Sequence, residues 1–164
     1  RIFIKKNILD QILPSDFNFV KNINTTNLKK LIKNGHLIGA HTKTHANLAL
    51  ISDNRKLKNE IINSAHNLEK LLKIKIKHFA FTYGNYESIS KKSLKLALAQ
   101  YQFIYSSLRG NNFKNFKNDI IKRDAIYLEK GNKLLSIFLS GILDMRYFFQ
   151  ISNINKFIKK MYNK

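Results

Sequence analysis

The chain has no cysteine and no tryptophan, one proline, six glycines, and ten acidic residues in a total of 164. Each scarcity removes a class of explanation. Without cysteine there are no disulfides, no thiolate metal sites and no thiol nucleophile, so any metal must be held by histidine and carboxylate. The single proline, Pro14, and the scattered glycines leave no flexible or proline-rich linker, and no internal repeat divides the chain. No run of eighteen or more uncharged apolar residues occurs, so no segment reads as a membrane-spanning helix. The sequence opens Arg1-Ile2-Phe3-Ile4, with neither an initiator methionine nor a charged-then-apolar leader. It is therefore expected to be a fragment or a processed piece, with the bacterial cell envelope and the cytoplasm both open as compartments.

Lysine is what the chain has in excess. Thirty basic residues against ten acidic ones give a formal charge of +20, which at first sight suggests a nucleic-acid partner. Only five of the thirty are arginine, however, and Asn and Ile are also frequent, as when A/T-rich codons bias a whole sequence. Base reading and phosphate clamping favour the planar fork of arginine. The expectation is a generally lysine-rich surface and no specific nucleic-acid face. A content of 44% hydrophobic residues is enough for the core of one domain and, at this length, too little for two.

Periodicity and punctuation divide the chain into alternating elements. Ile2 to Ile4 reads as the end of a strand. Thr25 or Thr26 is expected to cap a helix carrying Leu28, Leu31 and Ile32, which stops at Asn34-Gly35. Leu37 to Ala40 then reads as a short buried strand. Ser52 or Asp53 caps a longer helix with Leu57, Ile61, Ala65, Leu68 and Leu72 on one face. His78 to Phe81 reads as a strand, Tyr83-Gly84-Asn85 as a turn, and Leu94, Ala97 and Leu98 mark a third helix before a strand at Phe103 to Ser106. This order predicts an α/β fold with parallel strands and helices outside.

The segment "GHLIGAHTKTHANL", residues 35–48, places His41 and His45 four apart just beyond the predicted strand Leu37 to Ala40. Loops at the C-terminal ends of parallel strands carry the chemistry of α/β folds. Taken as residues alone, the two histidines are either polar loop residues or a pair of metal ligands, and the spacing does not decide between them. Thr42 and Thr44 have hydroxyls able to hold such a loop through local backbone groups.

The wider stretch "LKKLIKNGHLIGAHTKTHANLALIS" resembles the second motif of the polysaccharide deacetylases, the NodB-homology or family 4 carbohydrate esterases. There a helix ends in Gly-His, a strand follows, and His-(Ser/Thr)-x-x-His binds a divalent metal. "HFAFTYGNYES" is similar to the third motif of that family, an aromatic strand followed by a Pro-Tyr-Gly turn, and "IIKRDAI" resembles a late strand bearing arginine. The likeness runs from about Ile2 to Ile126. It implies a partial (β/α) barrel lacking its first unit over residues 1–143; residues 144–164 read, from their own spacing, as a basic amphipathic C-terminal helix or tail.

The resemblance also implies a reaction. Removing an N-acetyl group from an amino-sugar polysaccharide or glycan needs an activated water, stabilisation of the carbonyl oxygen and a proton for the departing amine. By this likeness His41 and His45 are two ligands of a divalent metal, zinc first and cobalt or nickel next. Tyr83 offers its backbone amide to the oxyanion, and Gly84 permits the turn beside the substrate. Thr82 stands where the family has proline, which is expected to loosen the turn.

Two parts of the family pattern are missing. The Thr-Phe-Asp-Asp-Gly motif, source of the base and third metal ligand, does not occur, and no histidine follows His78 to act as the acid. Base and acid are therefore not identified. Asp10 and Asp16 read as turn or cap residues, and Arg123 as either a carboxylate-orienting residue or a surface ion-pair partner of Asp119 or Asp124. His36, His66 and His78 read as structural or solvated. The tail, with Ile151, Ile154, Ile158 and Met161 at helical spacing among lysines, is expected to pack on its own domain, with contact to a membrane surface as the alternative. Two further readings stand beside the enzyme: a non-catalytic glycan-binding remnant, and a basic nucleic-acid-binding domain.

Overall fold

The structure, a computed structural model, describes residues 23–110, 112, 120–123, 135–137 and 139–162. The expected strand at Ile2 to Ile4 and the carboxylates Asp10, Asp16, Asp119 and Asp124 lie outside these residues.

Helix α1 spans Thr25–Lys33. Its cap is Asn24, not a threonine: Asn24 has an extended backbone and its side-chain oxygen accepts from the Asn27 N–H at 2.8 Å. Thr25 and Thr26 already lie within the helix, where a side chain can no longer reach back to cap it. The expected stop is present. Gly35 adopts φ +84, and the N–H groups of Gly35 and His36 donate to the carbonyls of Ile32 and Leu31, the paired bonds that close a helix end.

The chain then pairs with the sheet at one residue. Ala40 forms a parallel bridge with Phe79, donating to the His78 carbonyl at 2.8 Å and accepting from the Ala80 N–H at 3.0 Å. The buried strand expected over Leu37 to Ala40 thus shrinks to its last residue. Leu37 is 78% exposed and lines an open cavity, while Ile38 packs partly against the buried cluster, so the earlier part of the segment is only half-buried.

Helix α2 begins at Asp53, whose side chain accepts from the Arg55 N–H. It runs as Asn54–Lys58, a π-helical stretch Asn59–Asn63 and Ser64–Leu72, and ends with Lys73 in the left-handed conformation. Leu57, Ile61, Ala65 and Leu72 are buried and Leu68 packs partly against them, as the spacing predicts. Strand β1 is His78–Ala80, helix α3 Lys91–Gln100 and strand β2 Phe103–Tyr105. Strand β3 is Ile120–Ile121.

All three strands are parallel, in the order β1-β2-β3, with Phe79 opposite Ile104 and Ile104 opposite Ile120. Alternation sends those three side chains to the face covered by helices, where they join Leu57, Ile61, Leu94 and Ala97 in one buried cluster. The Phe79 ring stacks on Tyr101 at 4.8 Å and meets Phe81 edge-on at 5.1 Å. Each such buried side chain contributes about 1.5–3 kcal/mol. Helix α4, Phe148–Tyr162, buries Ile154 and Ile158 in the same cluster, so this helix packs on the domain. Among the described residues no helix is long and apolar enough to cross a membrane.

Candidate functional site

Parallel strands bring their C-terminal ends to one edge. There the chain leaves Ala40 into His41, Ala80 into the turn at Phe81 to Gly84, Tyr105 into Ser106, and Ile121 into Lys122 and Arg123. These exits are bonded to one another. Phe81 N–H donates to the Tyr105 carbonyl, Ser106 N–H to Ile121, and Ser107 N–H to Gly84.

His41 and His45 converge at this edge. Their ring centres are 5.0 Å apart at an interplanar angle of 74°. Two imidazoles sharing one zinc, with about 2.1 Å from nitrogen to metal and roughly 1.1 Å from nitrogen to ring centre, place their centres about 5 Å apart at a tetrahedral angle. His41 Nδ1 lies 2.9 Å from the Ala80 carbonyl, and a carbonyl only accepts, so Nδ1–H is the donor, and in the neutral ring Nε2 keeps its lone pair. This is the tautomer a ligand histidine needs. Both side chains are exposed, so a bound ion would keep open positions.

The backbone around the pair is strained. Among the described residues four non-glycine residues have positive φ: Thr42, His45, Lys73 and Tyr83, each at 60°. Three of the four belong to the two loops of this site. For the β-branched Thr42 the conformation is especially unfavourable, and such strain gathers where a site over-determines its backbone.

Of the two hydroxyls expected to hold the loop, that of Thr44 does so. Thr42 Oγ1 is buried and has no hydrogen-bond partner among the described residues. Glu60 holds the loop from α2: its two oxygens accept from the N–H groups of Lys43 and Thr44 and from Thr44 Oγ1, each at 2.9 Å. A glutamate inside an amphipathic helix gives no sequence signal of this kind, and its 7% exposure appears only in the fold.

The Tyr83-Gly84 turn lies beside the pair. The Tyr83 ring is 5.3 Å from that of His45, its side chain is 59% exposed, and its backbone N–H has no partner among the described residues. Thr82 does not loosen the turn. It is fully buried, and its hydroxyl donates to the Ala46 carbonyl, tying the turn to the segment just after His45. Proline at this position could not make that bond.

The face of the sheet opposite the helices carries His78, Phe103 and Tyr105. His78 stacks on Phe103 at 4.7 Å, and its Nδ1 is 2.9 Å from Tyr105 Oη. Burial, and then the charge of Lys77, lowers the pKa of His78 from its ordinary value. Arg123 Nε donates to the Ser106 carbonyl and its guanidinium lies 5.4 Å from the centre of the Tyr105 ring. His41, His78, Tyr105 and Arg123 line a cavity of about 320 Å³. A larger one, about 660 Å³ between α3 and α4, contains none of the candidate residues.

Two histidines are the donor set present. Among the described residues no group of three or more His, Asp or Glu side chains could hold a metal together. The pair fits two positions of such a site, and a third donor is not among these residues.

Comparison with known proteins agrees with this architecture. A polysaccharide deacetylase from Bacillus cereus superposes with a TM-score of 0.53 at 19% identity, over 72% of this chain and 41% of its own length. A Bacillus anthracis protein assigned as a polysaccharide deacetylase superposes with a TM-score of 0.57 at 20% identity, over 83% of this chain and 46% of its own. The chain thus spans less than half the length of either structure. A search of curated proteins finds no match. The sequence profile described as "Polysaccharide deacetylase" matches residues 8–102, a segment that holds both histidines and the Tyr83-Gly84 turn. With more than half of its residues inside that match, the chain belongs to the polysaccharide deacetylase family.

Proposed function

We propose that this chain carries part of a metal-dependent site that removes N-acetyl groups from an amino-sugar polysaccharide or glycan. The observation that carries the reading is the convergence of His41 and His45, with the His41 tautomer set by Ala80. In this reading His41 and His45 hold a divalent metal, zinc first, with cobalt or nickel as alternatives. When bound, the metal would activate a water and polarise the acyl carbonyl.

The chain's own residues then have distinct tasks. Tyr83, held at positive φ, would offer its backbone N–H, which has no partner among the described residues, as the oxyanion donor. Gly84 lets the turn pass close to Ser107. Water adds to the acyl carbon, the C–N bond breaks, and the proton ends on the amine, which leaves as the free amino sugar beside acetate. The base and the acid are not among the residues named here, and the Thr-Phe-Asp-Asp-Gly motif that supplies the base in the family occurs nowhere in the 164 residues. The parallel sheet is read as part of a (β/α) barrel whose first unit would bring that motif, with the cavity beside His41 and Arg123 on its inner side.

A second reading, a non-catalytic relative that binds a glycan, draws on the missing third donor among the described residues. Acetate release from an N-acetylglucosamine polymer separates the two. Release that chelation abolishes, added zinc restores and His41→Ala eliminates supports the hydrolase. Polymer binding without acetate release supports the second reading.

A further inference from the structure

The loop between His41 and His45 turns back on itself through unfavourable backbone, and one side chain from a distant part of the chain meets its two middle amides. Glu60 lies in the π-helical stretch of α2 and is nearly inaccessible to solvent. Its Oε2 accepts from both Lys43 N–H and Thr44 N–H, and its Oε1 from Thr44 Oγ1. Thr42 and His45, on either side of these two residues, are in the left-handed conformation. Two successive amides aimed at one carboxylate define a tight concave turn, and that turn carries the histidines at its two ends.

We propose that Glu60 is the positioning residue of the His41–His45 pair, binding the inside of the loop so that the two imidazoles are aimed at one point before any ion arrives. Three features support this assignment. The bonds to Glu60 are charge-assisted, and its burial shields them from water. The π-helical stretch locally changes the helical repeat where Glu60 sits, a feature often found at functional sites. The Thr42 hydroxyl makes no bond among the described residues. No other carboxylate among the described residues is shown bonding to this loop.

The inference rests on the metal reading of the pair, and the test separates the two. Zinc affinity and the cobalt absorption spectrum are measured for the 164-residue chain and for Glu60→Gln, Thr44→Val and Thr44→Ser, with backbone and imidazole NMR shifts recorded without metal. Glu60→Gln keeps the size of the side chain but replaces an acceptor by a donor. It is expected to weaken zinc at least tenfold, in the range of about 10–100-fold seen when partners behind a ligand are removed. It should also shift the Lys43 and Thr44 amides and the imidazoles of both histidines while helical circular dichroism is unchanged. Thr44→Val loses one bond and should weaken zinc less; Thr44→Ser keeps the hydroxyl and should restore wild-type affinity. Wild-type affinity and unshifted imidazoles in Glu60→Gln overturn the assignment. If Glu60→Gln fails to fold, the Thr44 pair decides: equal affinity in Thr44→Val and Thr44→Ser overturns it. If the unaltered chain binds no metal, the metal reading falls, while the shift of both imidazoles in Glu60→Gln still upholds Glu60 as the residue that positions them.

Discussion

Replacing Gly84 by alanine adds one methyl group at the point where the turn after β1 meets the segment after β2. A Cβ built there lies 2.6 Å from Ser107 N and 2.7 Å from Ser107 Oγ, with the backbone at φ +67. The hydroxyl can rotate away. The nitrogen cannot, because its N–H donates to the Gly84 carbonyl at 2.8 Å. The left-handed conformation alone costs an alanine about 1–2 kcal/mol, the lost hydrogen bond about 1 kcal/mol, and the forced displacement about 1–3 kcal/mol. The sum is about 3–6 kcal/mol. Gly35→Ala is the matched control, since Gly35 has φ +84 and nothing within 4 Å of its added Cβ. It should show the conformational cost only, about 1–2 kcal/mol. For a chain of this size each kcal/mol lowers Tm by about 2–4 °C, so Gly84→Ala should unfold well below Gly35→Ala in a thermal melt followed by circular dichroism. Equal losses in the two variants would refute the close approach at Ser107.

Thr82→Val keeps the volume of a buried side chain but leaves the Ala46 carbonyl without its donor; a loss of about 1–3 kcal/mol by chemical denaturation is expected, and an unchanged midpoint would show that the turn and the histidine loop are not tied there. Tyr101 is held by burial at a pKa of about 12, and its hydroxyl donates to the Ile61 carbonyl. Its contribution is therefore complete below about 10, where the unfolded phenol titrates, and is lost as pH rises from there toward about 12. Phenolate absorbance and alkaline melts check this, and Tyr101→Phe should flatten that part of the curve. His78 has a lowered pKa, so its neutral form supports the fold above the ordinary value of 6.5 and the support fades as pH falls below it. His78→Gln should reduce the stability change over that acidic interval, measured by urea unfolding at stepped pH.

Helices and their stops were legible because their signals are local. Asp53 before α2, the apolar row from Leu57 to Leu72, and Asn34-Gly35 after α1 each act within a turn or two of chain. The cap of α1 moved from threonine to Asn24, one residue earlier, because neighbouring residues with similar side chains compete and backbone geometry decides. The strand at Leu37 to Ala40 was over-read: its apolar character is real, but only Ala40 has a paired neighbour, and pairing is a property of the assembled sheet. The family motifs brought His41, His45, Tyr83 and Gly84 into view, and the structure gathers them at one edge. What the sequence concealed is what holds them. Left-handed backbone at Thr42, His45 and Tyr83 has no glycine to announce it. Glu60 reads as one more charge on a helix, and Thr82 as a weak point in the turn, whereas in the fold the Thr82 hydroxyl donates to the Ala46 carbonyl.

The central claim is that His41 and His45 act together as ligands of one ion. Calorimetric titration of the metal-free chain with zinc, run beside His41→Ala and His45→Ala variants that keep the helical circular dichroism of the parent, tests it most directly. One zinc per chain, lost in each variant, is the predicted result. No binding to the unaltered chain, or binding that either variant leaves intact, would contradict it.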